Sequence, residues 1–339
     1  MLKLLHYYKK ISKIQSKHYC KSGQFSELKK PPWKVLFFGS DEFSLHSLKA
    51  LFNECRSPAR IISTLEVVTC SQQNPIWKYS NMQNLKIHKW PPNLDKSSFD
   101  LGLVVSFGYL IPEQLIEKFP LGMLNVHGSL LPRWRGASPI VYALLNGDKE
   151  TGITIMKIRP KKFDVGEIVY QQKIQISPHI EMPELYEKLA LLGGTCLVNT
   201  LQNFDTYLAN SRPQPSEGVT YAPKLTPKIA TIKWDFLTAS NIYNLQRAVK
   251  SVLPLKTTWF SIPVKLFDIN VFNDATRKCI QPGFVEYNKT HKSLIVECAN
   301  LSWISVKHVG VYGKRIMSAA DFYNGFISKV DENIICRFQ

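Results

Sequence analysis

The chain lacks three features that would restrict its class at once: a long apolar run, paired cysteines and a surplus of acidic residues. No apolar segment approaches the roughly 18–20 residues of a membrane-spanning helix, so we expect no membrane span. The seven cysteines form no CxxC pair, which argues against a disulfide framework and a zinc site. With 43 Lys and Arg against 26 Asp and Glu, the formal charge is +17, which indicates a polyanionic partner such as nucleic acid.

The N-terminus lacks acidic residues altogether before Glu27. Residues 1–30 hold eight lysines and one glutamate, so this segment carries +7 and the remaining chain keeps +10. On a helical projection the lysines and the apolar residues gather on neighbouring sides, which is typical of a mitochondrial targeting segment, although the usual arginines are missing. A basic tail is the alternative. We interpret residues 1–30 as the targeting segment and predict that the protein acts in the mitochondrial matrix.

The first strand–turn–helix unit lacks the glycines of a dinucleotide site. "KVLFFGSDEFSLHSLKALF" reads as a buried strand, a turn and an amphipathic helix, which is how a doubly wound parallel sheet begins. Its turn contains Gly39 alone, followed by Asp41 and Glu42, whose charges would repel a pyrophosphate. We therefore predict no NAD or nucleotide site there.

The pattern of strands and helices predicts two domains. Residues 33–208 contain strand-like runs at 65–70, 101–107 and 123–129, an antiparallel pair around "RPKKFDVG", and a long helix from about 183 to 208. Residues 209–218, "ANSRPQPSEG", are the linker candidate. Residues 219–339 contain one helix and then short strands between Gly and Pro turns, which predicts a small barrel or sandwich.

Polar residues at alternate positions mark a candidate site in "LNVHGSLLPRWRGASPI" (124–140). On a strand, Asn125, His127 and Ser129 would share one face. An amide donor beside an imidazole suits the stabilisation of negative charge on a carbonyl oxygen, and Asp164 is a candidate to orient the ring. A buried strand histidine and a turn-forming aspartate fit the same spacing, so the spacing alone does not decide.

The residue identities in these motifs are more specific than their spacing. "NVHGSLLPRWRGASPI", followed by "TGITIM" and "FDVGEIV", resembles the folate-dependent formyltransferases, and among them those that act on methionyl-tRNA. The resemblance runs from about residue 34 to 326 and includes "TYAPKLTPKIATIKWDFLTASNI" in the second domain. It implies an α/β fold, with a Rossmann-like parallel-sheet catalytic domain followed by a smaller, mostly β, OB-like barrel that binds tRNA.

The resemblance also implies a reaction and its residues. The α-amine of methionyl-tRNA would attack the formyl carbon of 10-formyltetrahydrofolate, with no metal and no NAD, in a monomeric enzyme. Asn125 and His127 would hold the oxyanion, and Asp164 would support His127. The residues implied to line the folate pocket are Ser129, Leu130, Leu131, Pro132 and Gly136.

Basic residues are expected to contact the tRNA. They are Arg133 and Arg135 in the loop that follows the candidate strand, and Lys224, Lys228 and Lys233 in the second domain. For the lysines, a solvated loop is the alternative, whereas Trp234 and Trp259 are predicted to be core residues. The segment 71–93, where bacterial relatives carry a long basic insertion, is short and weakly basic here, and Val165 replaces a threonine next to Asp164.

Two other functions share these features. A formyltransferase acting on a small amine would keep the same site, but it would not explain the basic second domain. An inactive RNA-binding relative would keep the fold, but the intact Asn125, His127 and Asp164 argue against it. Formyl transfer to methionyl-tRNA is the function that the sequence favours.

Overall fold

A seven-stranded sheet forms the centre of the first domain in the computed structural model, which describes residues 29–274 and 276–339. The strand order is β3-β2-β1-β4-β5-β6-β7, with the first five strands parallel and the last two antiparallel. The strands are β1 Trp33–Gly39, β2 Ile62–Val68, β3 Ile87–His88, β4 Leu101–Val105, β5 Met123–His127, β6 Glu150–Lys157 and β7 Ile168–Gln175.

Helices cover the sheet, and its two faces pack into separate hydrophobic clusters. Phe37 of β1 belongs to one cluster and its neighbour Phe38 to the other, as the alternation of side chains along a buried strand requires. The helices of this domain are α1 Glu42–Arg56, α2 Pro75–Met82, α3 Glu113–Ile116, α4 Pro139–Leu145, α5 Met182–Gln202 and α6 Phe204–Ala209. The long helix predicted for 183–208 is thus divided at Asn203.

The sheet order places the site. Strands β2 and β3 are added on one side of β1, whereas β4 and β5 are added on its other side. At this switch between β1 and β4, a crevice forms at the carboxyl ends of the two strands. The acidic turn after β1 is a helix cap: Asp41 accepts a hydrogen bond from Ser44 N at 3.0 Å, and the Ser44 side chain bonds back to the cap. This capped turn occupies the position that the glycine-rich turn of a dinucleotide site would take.

The second domain is built on six antiparallel strands, in the order β10-β11-β12-β9-β8 with β13 beside β12. They are β8 Leu255–Trp259, β9 Ile262–Phe272, β10 Val285–Asn288, β11 Ser293–Cys298, β12 Ser302–Val311 and β13 Ile316–Ser318, with helices α7 Ala239–Val249 and α8 Ala319–Gly325. Trp234 and Trp259 are buried, which confirms the prediction that they are core residues.

The C-terminal residues join the two edge strands of this sheet. Val285 N donates to Cys336 O at 3.0 Å on one side, and Thr258 and Gln339 exchange two backbone hydrogen bonds of 2.9 and 3.0 Å on the other. Phe338 is fully buried between them. The sheet is thereby closed by the tail, which satisfies edge groups that would otherwise be open to another strand.

The segment predicted as a linker lies along the first domain. Arg212 pairs with Ile168 of β7 through two backbone hydrogen bonds, and Arg135 pairs in the same way with the Thr220–Ala222 stretch. The predicted targeting segment falls outside the described residues apart from Lys29 and Lys30. Within the described part of the chain, no helix has both the length and the apolarity needed to cross a membrane.

Candidate active site

A cavity of about 660 Å³ opens at the carboxyl edge of the parallel strands. Asn125, His127 and Asp164 all line it, so the structure brings together the three residues predicted to be catalytic. Polar side chains of Ser40, Asp41 and Ser106 lie along one part of its wall. The remaining wall is largely apolar, with contributions from Phe107, Ile111, Ile140, Ile158 and Phe163.

His127 is held at the end of β5 and is only 6% exposed. Its Nε2 lies 2.9 Å from the carbonyl oxygen of Trp134. A carbonyl oxygen only accepts, so Nε2 carries a hydrogen and donates it, and Nδ1 is the nitrogen left for the cavity. A backbone carbonyl therefore fixes one side of the ring, a partner that the sequence did not predict.

Asp164 stands on the other side of the ring. Its Oδ1 is 3.5 Å from His127 Nδ1, and its Oδ2 accepts a hydrogen bond of 2.8 Å from the Gly136 backbone N–H. Asp164 has a φ of +54°, in the left-handed region that aspartate adopts more readily than most residues. This backbone conformation in the β6–β7 connection places the carboxylate beside the end of β5.

Asn125 lies two residues before His127 on the same strand, while Leu124 and Val126 pack into the hydrophobic core. Its partners in the sheet are Val104 on β4 and Met156 on β6. Among the described residues its side-chain amide has no hydrogen-bond partner. The amide is therefore available to a ligand in the cavity.

The cavity is lined by one of the five residues predicted to form the folate pocket. Gly136 lines the cavity, but Ser129, Leu130, Leu131 and Pro132 do not. The strand ends at His127, so the alternation of faces does not continue to Ser129, whose hydroxyl donates to Arg133 O at 2.6 Å. These four residues belong to the site loop, which is the connection of residues 128–138 between β5 and α4.

Thr154 of β6 fastens that loop from inside the domain. Its hydroxyl donates to Ser129 O at 2.7 Å and accepts from Leu131 N at 3.1 Å. Gln171 of β7 adds hydrogen bonds of 2.9 Å to Leu131 O and to the Thr154 hydroxyl. Buried polar groups that are fully hydrogen-bonded in this way fix a loop in a single arrangement.

The two arginines of this loop, which are predicted to contact tRNA, form hydrogen bonds within the protein. Arg133 forms a bidentate pair with Asp148, at 2.8 and 2.6 Å, and lies over the Trp134 ring. The hydrogen bond to Asp148 raises the pKa of Arg133. Arg135 donates to the side-chain oxygen of Gln214 from Nε and Nη2, at 3.0 and 2.7 Å. Their guanidinium groups position neighbouring residues.

Tyr186 of α5 adds a neutral hydroxyl to the cavity wall. Its oxygen accepts a hydrogen bond of 2.9 Å from Phe43 N. Burial raises the pKa of Tyr186, and the nearby Asp41 charge raises it further. The phenol thus stays protonated at neutral pH and is a donor, whereas Asp41 caps the start of α1.

Comparisons with known proteins identify both parts of the chain. A formyl transferase family model matches residues 33–201, and a model of the formyl transferase C-terminal domain matches residues 224–327. The mitochondrial methionyl-tRNA formyltransferases of Mus musculus and Homo sapiens are each 40% identical to this chain. Both alignments cover 91% of this chain, and they cover 82% of the mouse protein and 81% of the human protein. The chain belongs to the methionyl-tRNA formyltransferase family.

A solved structure supports the fold of this formyltransferase independently. The N-formyltransferase from Helicobacter canadensis, solved with folinic acid and dTDP-3-aminofucose, superposes with a TM-score of 0.59. The alignment covers 82% of this chain and 99% of that one, at 17% identity. The predicted fold class, a Rossmann-like α/β domain followed by a mostly antiparallel β domain, is confirmed.

The three lysines predicted to contact tRNA lie on the surface of this formyltransferase. Lys224, Lys228 and Lys233 are exposed, and none has an acidic partner among the described residues. Lys224 follows Ala222 closely, and Ala222 contacts the site loop through a hydrogen bond of 2.7 Å from its N–H to Arg135 O. The first of these lysines, Lys224, therefore lies two residues from a contact with the site loop.

Sequence reasoning missed several residues that hold the formyltransferase site. Trp134, Thr154 and Gln214 contact His127, the site loop and the Asp164 loop, respectively. Thr154 lies within "TGITIM", and Trp134 lies between the two arginines, so both were inside motifs already singled out. Gln214 lies in the polar stretch predicted as a linker and had no local signal.

Proposed function

We propose that this chain transfers the formyl group of 10-formyltetrahydrofolate to the α-amine of methionyl-tRNA. The convergence of Asn125, His127 and Asp164 on one cavity, in a chain whose two halves match the two formyltransferase domains, carries the proposal. The product, formylmethionyl-tRNA, serves the initiation of translation.

The cavity suits the folate donor as a substrate. A volume of about 660 Å³ lies within the roughly 300–1,000 Å³ of small-molecule sites. Apolar walls formed by Phe107, Ile111 and Ile158 suit the flat rings of a folate, and Arg159 and Lys162 add cations to the cavity lining that can pair with its carboxylates. Gly136 also lines the cavity, and its missing side chain lets the backbone of residue 222 approach closely.

The residues act on the carbonyl as it becomes tetrahedral. The amine nitrogen attacks the formyl carbon, and the carbonyl electron pair moves to oxygen. The Asn125 amide donates to that oxygen. Because the Nε2 hydrogen of His127 is bound to Trp134, Nδ1 is the ring nitrogen that donates to the oxyanion when it is protonated, and Asp164 stabilises that charge.

Collapse of the intermediate completes the transfer. The bond between the formyl carbon and the folate nitrogen breaks, and the electron pair leaves with that nitrogen. The attacking amine loses one proton and the folate nitrogen gains one. Asp164, beside His127 Nδ1, is placed to pass this proton through the ring or through water held by its carboxylate.

The acceptor is a macromolecule because the chain carries a basic second domain. Lys224, Lys228 and Lys233 are exposed, and the chain outside residues 1–30 has a surplus of ten positive charges. Phosphate contacts from such lysines supply affinity without reading bases. We further propose that the protein is a monomer and acts in the mitochondrial matrix, in keeping with its mitochondrial relatives.

The test is formylation with purified protein. We expect that 10-formyltetrahydrofolate and charged methionyl-tRNA together give formylmethionine, released by hydrolysis of the tRNA ester. Uncharged tRNA and free methionine serve as controls and give none. Product from a small amine with no product from methionyl-tRNA would contradict the proposed acceptor. Tight tRNA binding without any product would indicate an inactive RNA-binding relative.

A further inference from the structure

Gln214 joins the site loop to the Asp164 loop. Its Nε2 donates to the backbone oxygens of Asp164 and Gly166, at 3.0 and 2.9 Å, on either side of Val165. Its Oε1 accepts both hydrogen bonds from Arg135, at 3.0 and 2.7 Å. One amide thus bridges two loops that are far apart in the sequence.

The chemistry of the partners fixes the orientation of this amide. A guanidinium group only donates, so the amide oxygen must face Arg135. Backbone carbonyls only accept, so the NH₂ group must face Asp164 and Gly166. Reversing the amide would place a donor against a donor and an acceptor against two acceptors. Arg135 therefore keeps Gln214 aimed at the Asp164 loop.

The segment that follows Gln214 also contacts the part of the site loop that bonds to the Asp164 carboxylate. Ala222 N donates to Arg135 O at 2.7 Å. The next residue, Gly136, has a φ of +125°, and a Cβ there would lie 2.5 Å from Ala222 O. Gly136 N in turn donates to Asp164 Oδ2 at 2.8 Å. Gln214 thus bonds directly to the backbone of Asp164, whereas Ala222 holds the Arg135–Gly136 backbone, whose Gly136 N–H bonds to the Asp164 carboxylate.

We infer that Arg135 and Gln214 are positioning residues for the formyl transfer: they hold Asp164 in its left-handed conformation with its carboxylate beside His127. This inference rests on the proposed function, because it takes Asp164 to act in the reaction. Neither side chain is assigned a contact with the substrates. The role replaces tRNA contact as the reason why an arginine stands at position 135.

Positioning predicts a specific kinetic effect. A displaced Asp164 stabilises the transition state less, but it leaves the surfaces that bind folate and tRNA in place. We therefore expect Gln214→Met, which keeps the side-chain length and loses every hydrogen bond, to lower kcat about 10–100-fold. The KM values for both substrates stay within about twofold, because ground-state binding is unchanged.

Two further variants separate the halves of the bridge. Gln214→Glu keeps an acceptor for Arg135 but sets a carboxylate against two carbonyl oxygens, so kcat falls as in Gln214→Met. Arg135→Lys, a conservative variant, keeps the charge and can donate to Oε1, so it retains more activity than Arg135→Met. The control is Gln202→Met, which removes an exposed glutamine at the end of α5 and leaves kcat unchanged.

A double-mutant comparison distinguishes positioning from a separate contribution. If Gln214 acts through Asp164, then Gln214→Met added to Asp164→Asn lowers kcat by less than threefold beyond Asp164→Asn alone. Losses that multiply in the double variant would overturn the inference. So would a raised KM for methionyl-tRNA with unchanged kcat in Arg135→Met, since that result would assign Arg135 to tRNA contact.

Hydrogen–deuterium exchange gives a readout that needs no reaction. In Gln214→Met without substrates, backbone amides of residues 158–168 and of Gly136 should exchange at least tenfold faster than in the wild type, while peptides from α5 should not change. Unchanged exchange in these segments would overturn the positioning role. Faster exchange in a protein whose wild type forms no formylmethionyl-tRNA would overturn the proposed function instead and leave the positioning of Asp164 in place.

Discussion

The backbone carbonyl of Trp134 accepts the Nε2 hydrogen of His127 at 2.9 Å, and this bond decides which ring nitrogen reaches the cavity. Trp134 has a φ of +65°, which is unusual for a bulky residue. Its indole Nε1 donates to Asp148 at 2.7 Å and its backbone N to the Thr220 hydroxyl at 2.9 Å. These contacts offset the cost of the turn that aims the carbonyl at His127.

The indole hydrogen bond can be removed while the ring is kept. Trp134→Phe loses the donor to Asp148, which stays paired with Arg133. We expect the free energy of unfolding to fall by about 1.5–3 kcal/mol, the range for a hydrogen bond to a charged group. Because the carbonyl is less firmly held, kcat should fall as well.

Denaturant unfolding and steady-state formylation measure these two effects. Trp77→Phe is the control, since Trp77 is half-buried on α2, away from the cavity, and its indole has no hydrogen-bond partner among the described residues. A Trp134→Phe variant as stable and as active as Trp77→Phe would show that the turn holds without the indole.

The oxyanion donors should be indispensable for the rate and dispensable for the fold. Asn125→Ala and His127→Ala each remove one group facing the cavity, and loss of one such donor costs ~10²–10³-fold in turnover. Neither side chain contributes a hydrogen bond to the core beyond that of His127 to Trp134. The thermal midpoint should therefore change by only a few degrees.

Single-turnover formylation reports the chemical step directly. His291→Ala serves as the control, because His291 is exposed in the second domain. A rate within a fewfold of the wild type for either active-site variant would remove that residue from the catalytic role. A large fall in the thermal midpoint would show that the lost rate comes from unfolding.

The extent to which the sequence predicts this fold follows from how local each signal is. Alternating and continuous apolar runs are local, so β1, β5 and the β6–β7 pair were all correctly predicted. Asn125 and His127 share a strand, and their placement followed from its period. Asp164 was a candidate because it precedes a glycine-containing turn between two strands, but its spacing alone did not decide its role, and the family resemblance supplied the link to Asn125 and His127.

The sequence does not predict where β5 ends, and it does not predict contacts between residues that lie far apart in the chain. Ser129 was placed on the catalytic face because the alternation was extended past the end of β5, at His127. The hydrogen bonds of Arg135 could not be predicted, because its partner, Gln214, lies 79 residues away in a polar stretch. Neither contact leaves a periodic or compositional trace near the residue concerned, so only the folded chain shows it.

Exposed lysines next to the site loop should govern the affinity for tRNA. Replacing Lys224, Lys228 and Lys233 together by Ala should raise the KM for methionyl-tRNA and leave kcat unchanged, because phosphate contacts supply affinity in the ground state. Each lost contact should reduce the slope of log affinity against log salt by about 0.7–0.9.

A variant with the same change in net charge isolates the effect of position. It replaces three lysines that already pair with carboxylates, namely Lys173, Lys188 and Lys250. Filter binding across a salt series compares the two triple variants. Equal slopes would mean that net charge alone steers the tRNA, and the three lysines of the second domain would lose their assigned role.

Lys29 belongs to the folded body although it lies within the predicted targeting segment. Its Nζ pairs at 2.6 Å with Asp100, whose side chain is 1% exposed, and its carbonyl accepts from Trp33 Nε1 at 2.9 Å. Asp100 otherwise keeps a 2.8 Å hydrogen bond from Lys34 N. A chain beginning at Pro31 leaves this buried carboxylate without its cation, whereas a chain beginning at Lys29 retains it.

The two truncated proteins should therefore differ in stability. Because Lys29 is itself 55% exposed, we expect the chain from Pro31 to be less stable than the chain from Lys29 by about 1–2 kcal/mol in denaturant unfolding. Lys29→Met in the full chain should lose a similar amount, since it removes the charge and keeps the backbone carbonyl. Equal midpoints for all three proteins would show that Asp100 is satisfied by Lys34 N alone, and would permit processing of the targeting segment as far as Lys30.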